Sequence, residues 1–115
     1  MAIYEAYTNN ATISTTEYSL TTNSTTLTSK AEVGIYQCYL DLSALTSTET
    51  YKFVVYEKVQ STSTQRPLFS VTFSGAQGMP NWVSPSLILV NGWEMTMQLV
   101  SGTARNIAWS IRTVG

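Results

Sequence analysis

The chain has 115 residues, 43% of them apolar and only 11% charged, with six basic against seven acidic side chains and a formal charge of −1. That length bounds it to one domain, large enough to bury roughly two thirds of its unfolded surface without disulfide or metal. The apolar content excludes a disordered chain, and the near-neutral balance lacks the basic field that neutralises a phosphate backbone, so nucleic acid is not an expected partner.

Apolar residues recur with period two rather than 3.6, and Val, Ile, Thr, Tyr, Phe and Trp are plentiful, which predicts strands throughout. The first strand is expected over residues 2–8, ended by Asn9 and Asn10, and a weaker one over residues 12–20. Residues 21–29 are nearly all Thr and Ser; their β-branched content favours an extended loop, edge strand or arm over a flexible coil. Residues 1–30 are thus expected to be Thr/Ser-rich strands or an arm of the same domain, and residues 31–115 the sandwich core. In residues 34–42 one face carries Tyr36, Cys38, Leu40 and Leu42. Tyr51, Phe53, Val55 and Val59 share the next face, with Glu57 as its single charge. Phe69, Val71 and Phe73 alternate with Ser70, Thr72 and Ser74 as a half-buried strand.

Residues 74–86 form the longest irregular stretch of this half, with Gly75, Gly78, Pro80, Trp82 and Pro85. After it, Asn91-Gly92 and Ser101-Gly102 read as hairpin turns, the first a two-residue type I′ turn. The second reads as a three-residue loop with Gly102 left-handed, which would set Met95 opposite Ile107 and Trp93 opposite Trp109. The last 30 residues are therefore expected to be a three-stranded meander that leaves Leu87 and Leu89 apolar on the face opposite Ile88, covered by a loop or by a neighbouring subunit. About eight short strands with turn signals every 8 to 12 residues predict an all-β fold, an antiparallel β-sandwich of jelly-roll-like topology.

The missing residue types narrow the chemistry. Without histidine, Ser-His-Asp and Cys-His nucleophile systems and His-bearing zinc sites cannot be built. The lone Cys38 reads as a buried hydrophobe. With Asp41 the sole aspartate, carboxylate-rich calcium loops are absent. The six glutamates are scattered, and a pair such as Glu57 and Glu94 could act as a glycosidase couple only if folding brought them within about 5 to 9 Å. We expect no enzyme activity, no catalytic or metal-binding residue and no cofactor. No apolar run approaches the roughly 20 residues of a membrane helix, and the N-terminus lacks a basic segment followed by an apolar run, so neither membrane insertion nor a secretory leader is expected.

Trp93 and Trp109 alternate in step with core residues, whereas Trp82 sits between two prolines on a stiffened stretch, as a contact anchor or as a cap over the end of its own sandwich. The residues expected at a partner interface are Ile3, Tyr4, Tyr7, Trp82, Leu87 and Leu89. Glu57 and Arg105, each the one charge on an apolar strand face, are expected to form a structural ion pair.

Tyr56-Glu57-Lys58-Val59, Arg66, Ser84-Pro85-Ser86-Leu87-Ile88-Leu89, Asn91-Gly92-Trp93-Glu94, Gly102-Thr103-Ala104-Arg105-Asn106-Ile107 and Trp109-Ser110-Ile111-Arg112 together resemble short virion proteins of tailed bacteriophages, most of all capsid decoration (cement) proteins. The resemblance covers residues 33–115. It implies a β-sandwich made in the host cytoplasm that binds the outer capsid surface of the virion, bridging subunits of the major capsid protein and stabilising the head. It implies a homotrimer too, in which weak single contacts gain avidity from linkage. Two other readings accompany it: another virion component, such as a head fibre base or tail protein, and a carbohydrate-binding β-sandwich module.

Overall fold

A computed structural model describes residues 2–114. Its strands are β1 (Ile3–Ile13), β2 (Tyr18–Ser19), β3 (Gly34–Asp41), β4 (Thr50–Glu57), β5 (Arg66–Ser74), β6 (Asn81–Val83), β7 (Leu87–Leu89), β8 (Glu94–Ser101) and β9 (Arg105–Val114). They make two antiparallel sheets, the β-sandwich that the alternation predicts. Sheet A runs β1-β9-β3, with both β6 and β7 on the far side of β3; sheet B runs β2-β8-β4-β5.

The inner faces interlock as the period-two pattern requires. Tyr36, Cys38 and Leu40 of β3 and Ile107, Trp109 and Ile111 of β9 pack against Tyr51, Phe53 and Val55 of β4 and Met95, Met97 and Leu99 of β8. Burial drives the Cys38 thiol well above its usual range, leaving it a packing group with no thiolate. Both buried indole N–H groups find backbone acceptors: Trp93 Nε1 donates to Glu32 O at 2.8 Å and Trp109 Nε1 to Leu20 O at 2.9 Å.

Those two bonds also tie the Thr/Ser-rich stretch to the body. Leu20, which directly follows β2, is 1% exposed and belongs to the core cluster. The buried Glu94 carboxylate accepts from Ser19 Oγ at 2.9 Å, Thr21 Oγ1 at 2.7 Å and Thr28 N at 3.1 Å. A buried carboxylate is costly unless its oxygens are satisfied, and two hydroxyls together with the Thr28 and Met95 amides satisfy this one.

Three expectations about connectivity are corrected. The first strand is not ended at Asn9 and Asn10: β1 pairs with β9 from Ile3↔Val114 to Ile13↔Arg105, with a bulge between Glu5 and Tyr7. The final strands are not a meander: β7 pairs with β3, β8 with β4 and β2, and β9 with β1 and β3. Asn91-Gly92 and Ser101-Gly102 therefore carry the chain from one sheet to the other. Gly92 (φ 53°) and Gly102 (φ 98°) are left-handed, but Asn91 is not, which excludes the type I′ turn that needs both central residues so. At Gly102 a Cβ would lie 2.4 Å from Thr48 O, so this crossing needs the absence of a side chain as well as the backbone twist.

Candidate functional site

The antiparallel register fixes what the outer face of sheet A displays. Ile3 of β1 lies opposite Val114 of β9, Val114 opposite Ile35 of β3, and Ile35 opposite Ile88 of β7. Cross-strand partners share a face, so these four aliphatic side chains form one row across four strands. Ile3 is 76% exposed, Ile88 73% and Ile35 47%; Val114 is half-buried. Val33 and Val90, both exposed, continue β3 and β7 in the same register and widen the row at its end. Single exposed aliphatics are ordinary, whereas a contiguous group of them on one sheet face is the kind of surface that interaction sites use.

Further along the same face polar and charged side chains join the apolar ones. Tyr39, Asp41, Asn81, Val83, Ala108, Ser110 and Arg112, with Leu40, Trp82 and Trp109 beneath them, line an open groove of about 470 Å³ whose surface is mostly apolar. The Arg112 guanidinium lies 3.8 Å from the centre of the Tyr39 ring, and its Nε donates to Ser110 Oγ at 3.1 Å. A cation over an aromatic face is held there by the ring quadrupole.

Of the residues expected at a partner interface, Ile3 belongs to the row. Tyr4 is 53% exposed on the other side of β1. Tyr7 turns inward, edge-on to Trp93 with ring centres 6.2 Å apart, and its hydroxyl bonds the Glu32 carboxylate. Partial burial first, and then that carboxylate, raise the Tyr7 phenol above its usual range. Trp82 is half-buried against Phe53 and Phe73, with ring centres 5.4 and 5.1 Å away, so the stiffened stretch folds back over its own sandwich. Leu87 and Leu89 require a correction. They are buried in the chain's own core, and it is Ile88 and Val90 that face out. The inversion follows from the strand exchange above: β7 takes its facing from β3, where Gly34 and Tyr36 lie opposite Leu89 and Leu87 on the inner side.

The ion pair is corrected as well. Glu57 and Arg105 do not meet. Glu57 sits at the far end of β4, where its Oε2 accepts from Val90 N at 2.6 Å and Asn91 N at 2.9 Å and so fixes the crossing into sheet B. Arg105 pairs instead with Glu49, just before β4, at an Nε to Oε1 distance of 3.2 Å. Eight residues of strand, roughly 25 Å, separate the two carboxylates.

Nothing brings Glu57 and Glu94 into one cleft. The pocket that holds Glu94 is lined by Glu17, Leu27, Thr28, Ser29, Tyr56 and Gln65. Glu17, which sequence reasoning did not single out, accepts there from Tyr56 Oη at 2.6 Å and Thr96 Oγ1 at 2.5 Å. Both carboxylates are thus occupied by the protein's own donors. No group of three metal-ligating side chains occurs among the described residues.

No protein-family model and no curated protein matches the chain. Among solved structures, it is similar in fold to the PBSX exported protein XepA, at 9% identity and a TM-score of 0.56 over 99% of this chain. A xylan-binding domain of carbohydrate-binding module family 22 is similar at 14% identity and a TM-score of 0.40 over 73% of this chain. A pentameric capsid protein isolated from metagenomic phage sequences is similar at 11% identity and a TM-score of 0.37 over 95%. The chain spans 37%, 56% and 61% of those three proteins. At 9% identity the likeness to XepA is one of fold alone.

Proposed function

We propose that this chain is a structural protein of a tailed-phage virion, a decoration protein that docks on the outer surface of the assembled head and stabilises it. The observation that carries this reading is the aliphatic row Ile3, Val114, Ile35 and Ile88 on the outer face of sheet A. Fully burying one such side chain is worth about 1.5–3 kcal/mol, so a partner surface that covered the row would gain most of its affinity there. The resemblance of residues 33–115 to small virion proteins supplies the partner, the major capsid protein. A near-neutral surface with a Thr- and Ser-rich flank lets many copies crowd on one shell without mutual repulsion.

Of the three tryptophans, which invited a glycan-binding reading, Trp93 lies in the core, Trp109 is buried at the base of the groove, and Trp82, half-buried against Phe53 and Phe73, also lines it. Tyr39, on the outer face, carries the Arg112 guanidinium over its ring. The test is to mix the purified protein with purified heads of the phage that encodes it and image the particles. Density at fixed positions on the head, with the outer face of sheet A against the shell, is the expected result. Density confined to the tail, or none, would assign the chain elsewhere.

A further inference from the structure

Strand β1 closes sheet A on one side, and among the described residues no strand pairs with its far edge. Natural sheets blunt such edges with lysine, proline, short strands, bulges or a covering loop. β1 has a bulge between Glu5 and Tyr7, but from there to its end the sequence is Tyr-Thr-Asn-Asn-Ala-Thr-Ile, seven residues with no charge, no proline and no glycine. The orientation of the free edge follows from one bond. Asn10 N donates to the side chain of Asn9 at 2.9 Å rather than to β9, so it points away from the sheet. Strand geometry then turns the N–H and C=O groups of Thr8, Asn10 and Thr12 to the same open side.

We infer that this edge pairs antiparallel with the same edge of a second copy of the chain, about a two-fold axis at Asn10. Under that register Asn10 meets Asn10 of the other copy, Thr8 meets Thr12, and Tyr7 meets Ile13. The faces agree, because Thr8 and Thr12 lie on the outer side of sheet A and Tyr7 and Ile13 on the inner side. Thr–Thr and aromatic–aliphatic partners are favourable cross-strand pairs. Charge is compatible too: Glu5 lies beyond the bulge with its carboxylate on Ser110 Oγ at 2.5 Å, and Glu17 of the neighbouring segment is held by Tyr56 and Thr96. At the Tyr7 end of the seam Glu32 accepts from the Tyr7 hydroxyl and Lys30 Nζ lies 5.3 Å from its ring centre, so the two charges there are of opposite sign and each copy presents no net charge to the other. The contact is isologous and closes at two copies, unlike the three-fold ring that the resemblance to decoration proteins implies. It rests on the edge of the sheet, independently of the docking face proposed above.

The test is the mass of the purified full chain in solution as a function of concentration. A seven-residue seam is small for a permanent complex, so the mass should rise from 12.7 kDa toward twice that value as concentration increases into the millimolar range. Asn10→Lys places two ammonium groups against each other on the axis and should hold the protein monomeric, with its strand circular dichroism unchanged. Asn10→Cys without reductant should give a disulfide-linked pair, since directly opposed residues of a hydrogen-bonded pair have Cα atoms about 5.5 Å apart. Thr16→Cys, exposed but off the seam, should not. A wild-type mass of one chain at all concentrations, a mass of three chains, or equal cross-linking at both positions would overturn the inference.

Discussion

Arg105 holds Glu49 where two sheets meet: its Nε lies 3.2 Å from Glu49 Oε1 and its Nη2 3.3 Å from Oε2, while the Glu49 side chain is closed off from solvent. The carboxylate also accepts from Thr48 Oγ1, from Thr46 N at 2.6 Å and from Thr46 Oγ1 at 2.8 Å. Gly75 N donates to the Glu49 carbonyl at 2.8 Å. One residue thus joins the loop before β4, the loop after β5 and the start of β9.

Its titration follows from those partners. The Thr48 hydroxyl first, then the Thr46 amide, and after them Arg105 hold the Glu49 carboxyl well below the usual carboxylate range. A lowered folded value gives stability that is present above about pH 4.3 and lost as pH falls through the folded value. Glu49→Gln should therefore lower the thermal midpoint clearly at pH 7, and the gap to wild type should shrink as both are taken toward pH 2. An equal gap at every pH would show that the charge on Glu49 does not matter.

The alkaline side is expected to mirror this through Tyr56. Burial and the Glu17 carboxylate, which accepts its hydroxyl, push its phenol up to about 12. A raised folded value gives stability present below the unfolded value of about 10 and lost as pH rises through the folded one. Tyr56→Phe removes that loss. Its stability should fall less steeply than wild type between pH 10 and 12, read by denaturant midpoints; parallel curves would remove Tyr56 from the alkaline transition.

Two glycines separate backbone strain from crowding. Gly75 (φ 78°) has nothing within 4 Å of a built Cβ, whereas Gly102 (φ 98°) has Thr48 O at 2.4 Å and Glu49 Cα at 2.9 Å. Gly75→Ala should cost about 1–2 kcal/mol, the left-handed penalty alone. Gly102→Ala adds a backbone overlap and should cost several kcal/mol on top of it. Urea unfolding of both variants measures the difference, and equal costs would refute the close approach at Thr48.

The two inner faces were legible in the alternation of Tyr36, Cys38 and Leu40 and of Tyr51, Phe53 and Val55, because period two distinguishes a buried side from a solvated one. Which sheet each strand joins was not. Asn91-Gly92 and Ser101-Gly102 bend the chain as readily into a crossing between sheets as into a hairpin, and the difference lies in long-range pairing of β7 with β3 and of β9 with β1. Val59, grouped with the buried face of Tyr51 and Phe53, lies past the end of β4 and is 84% exposed. The aliphatic row on sheet A was hidden for a related reason. Ile3, Ile35, Ile88 and Val114 come from four distant stretches and become neighbours only once the register is set. Arg105 was singled out as an unusual charge, but its partner Glu49 lies in a loop, where no strand pattern marks it.

The claim on which the account turns is that the row on sheet A is the docking surface, and one binding measurement reaches it directly. Wild-type protein and the double variant Ile35→Asp, Ile88→Asp would be titrated onto purified phage heads and the bound fraction read by co-sedimentation, after circular dichroism has shown both folded. Losing two buried isoleucines costs at least about 3 kcal/mol, more than a hundredfold in affinity. Saturable wild-type binding with that loss in the variant is the predicted result. Equal binding by the two proteins would contradict it.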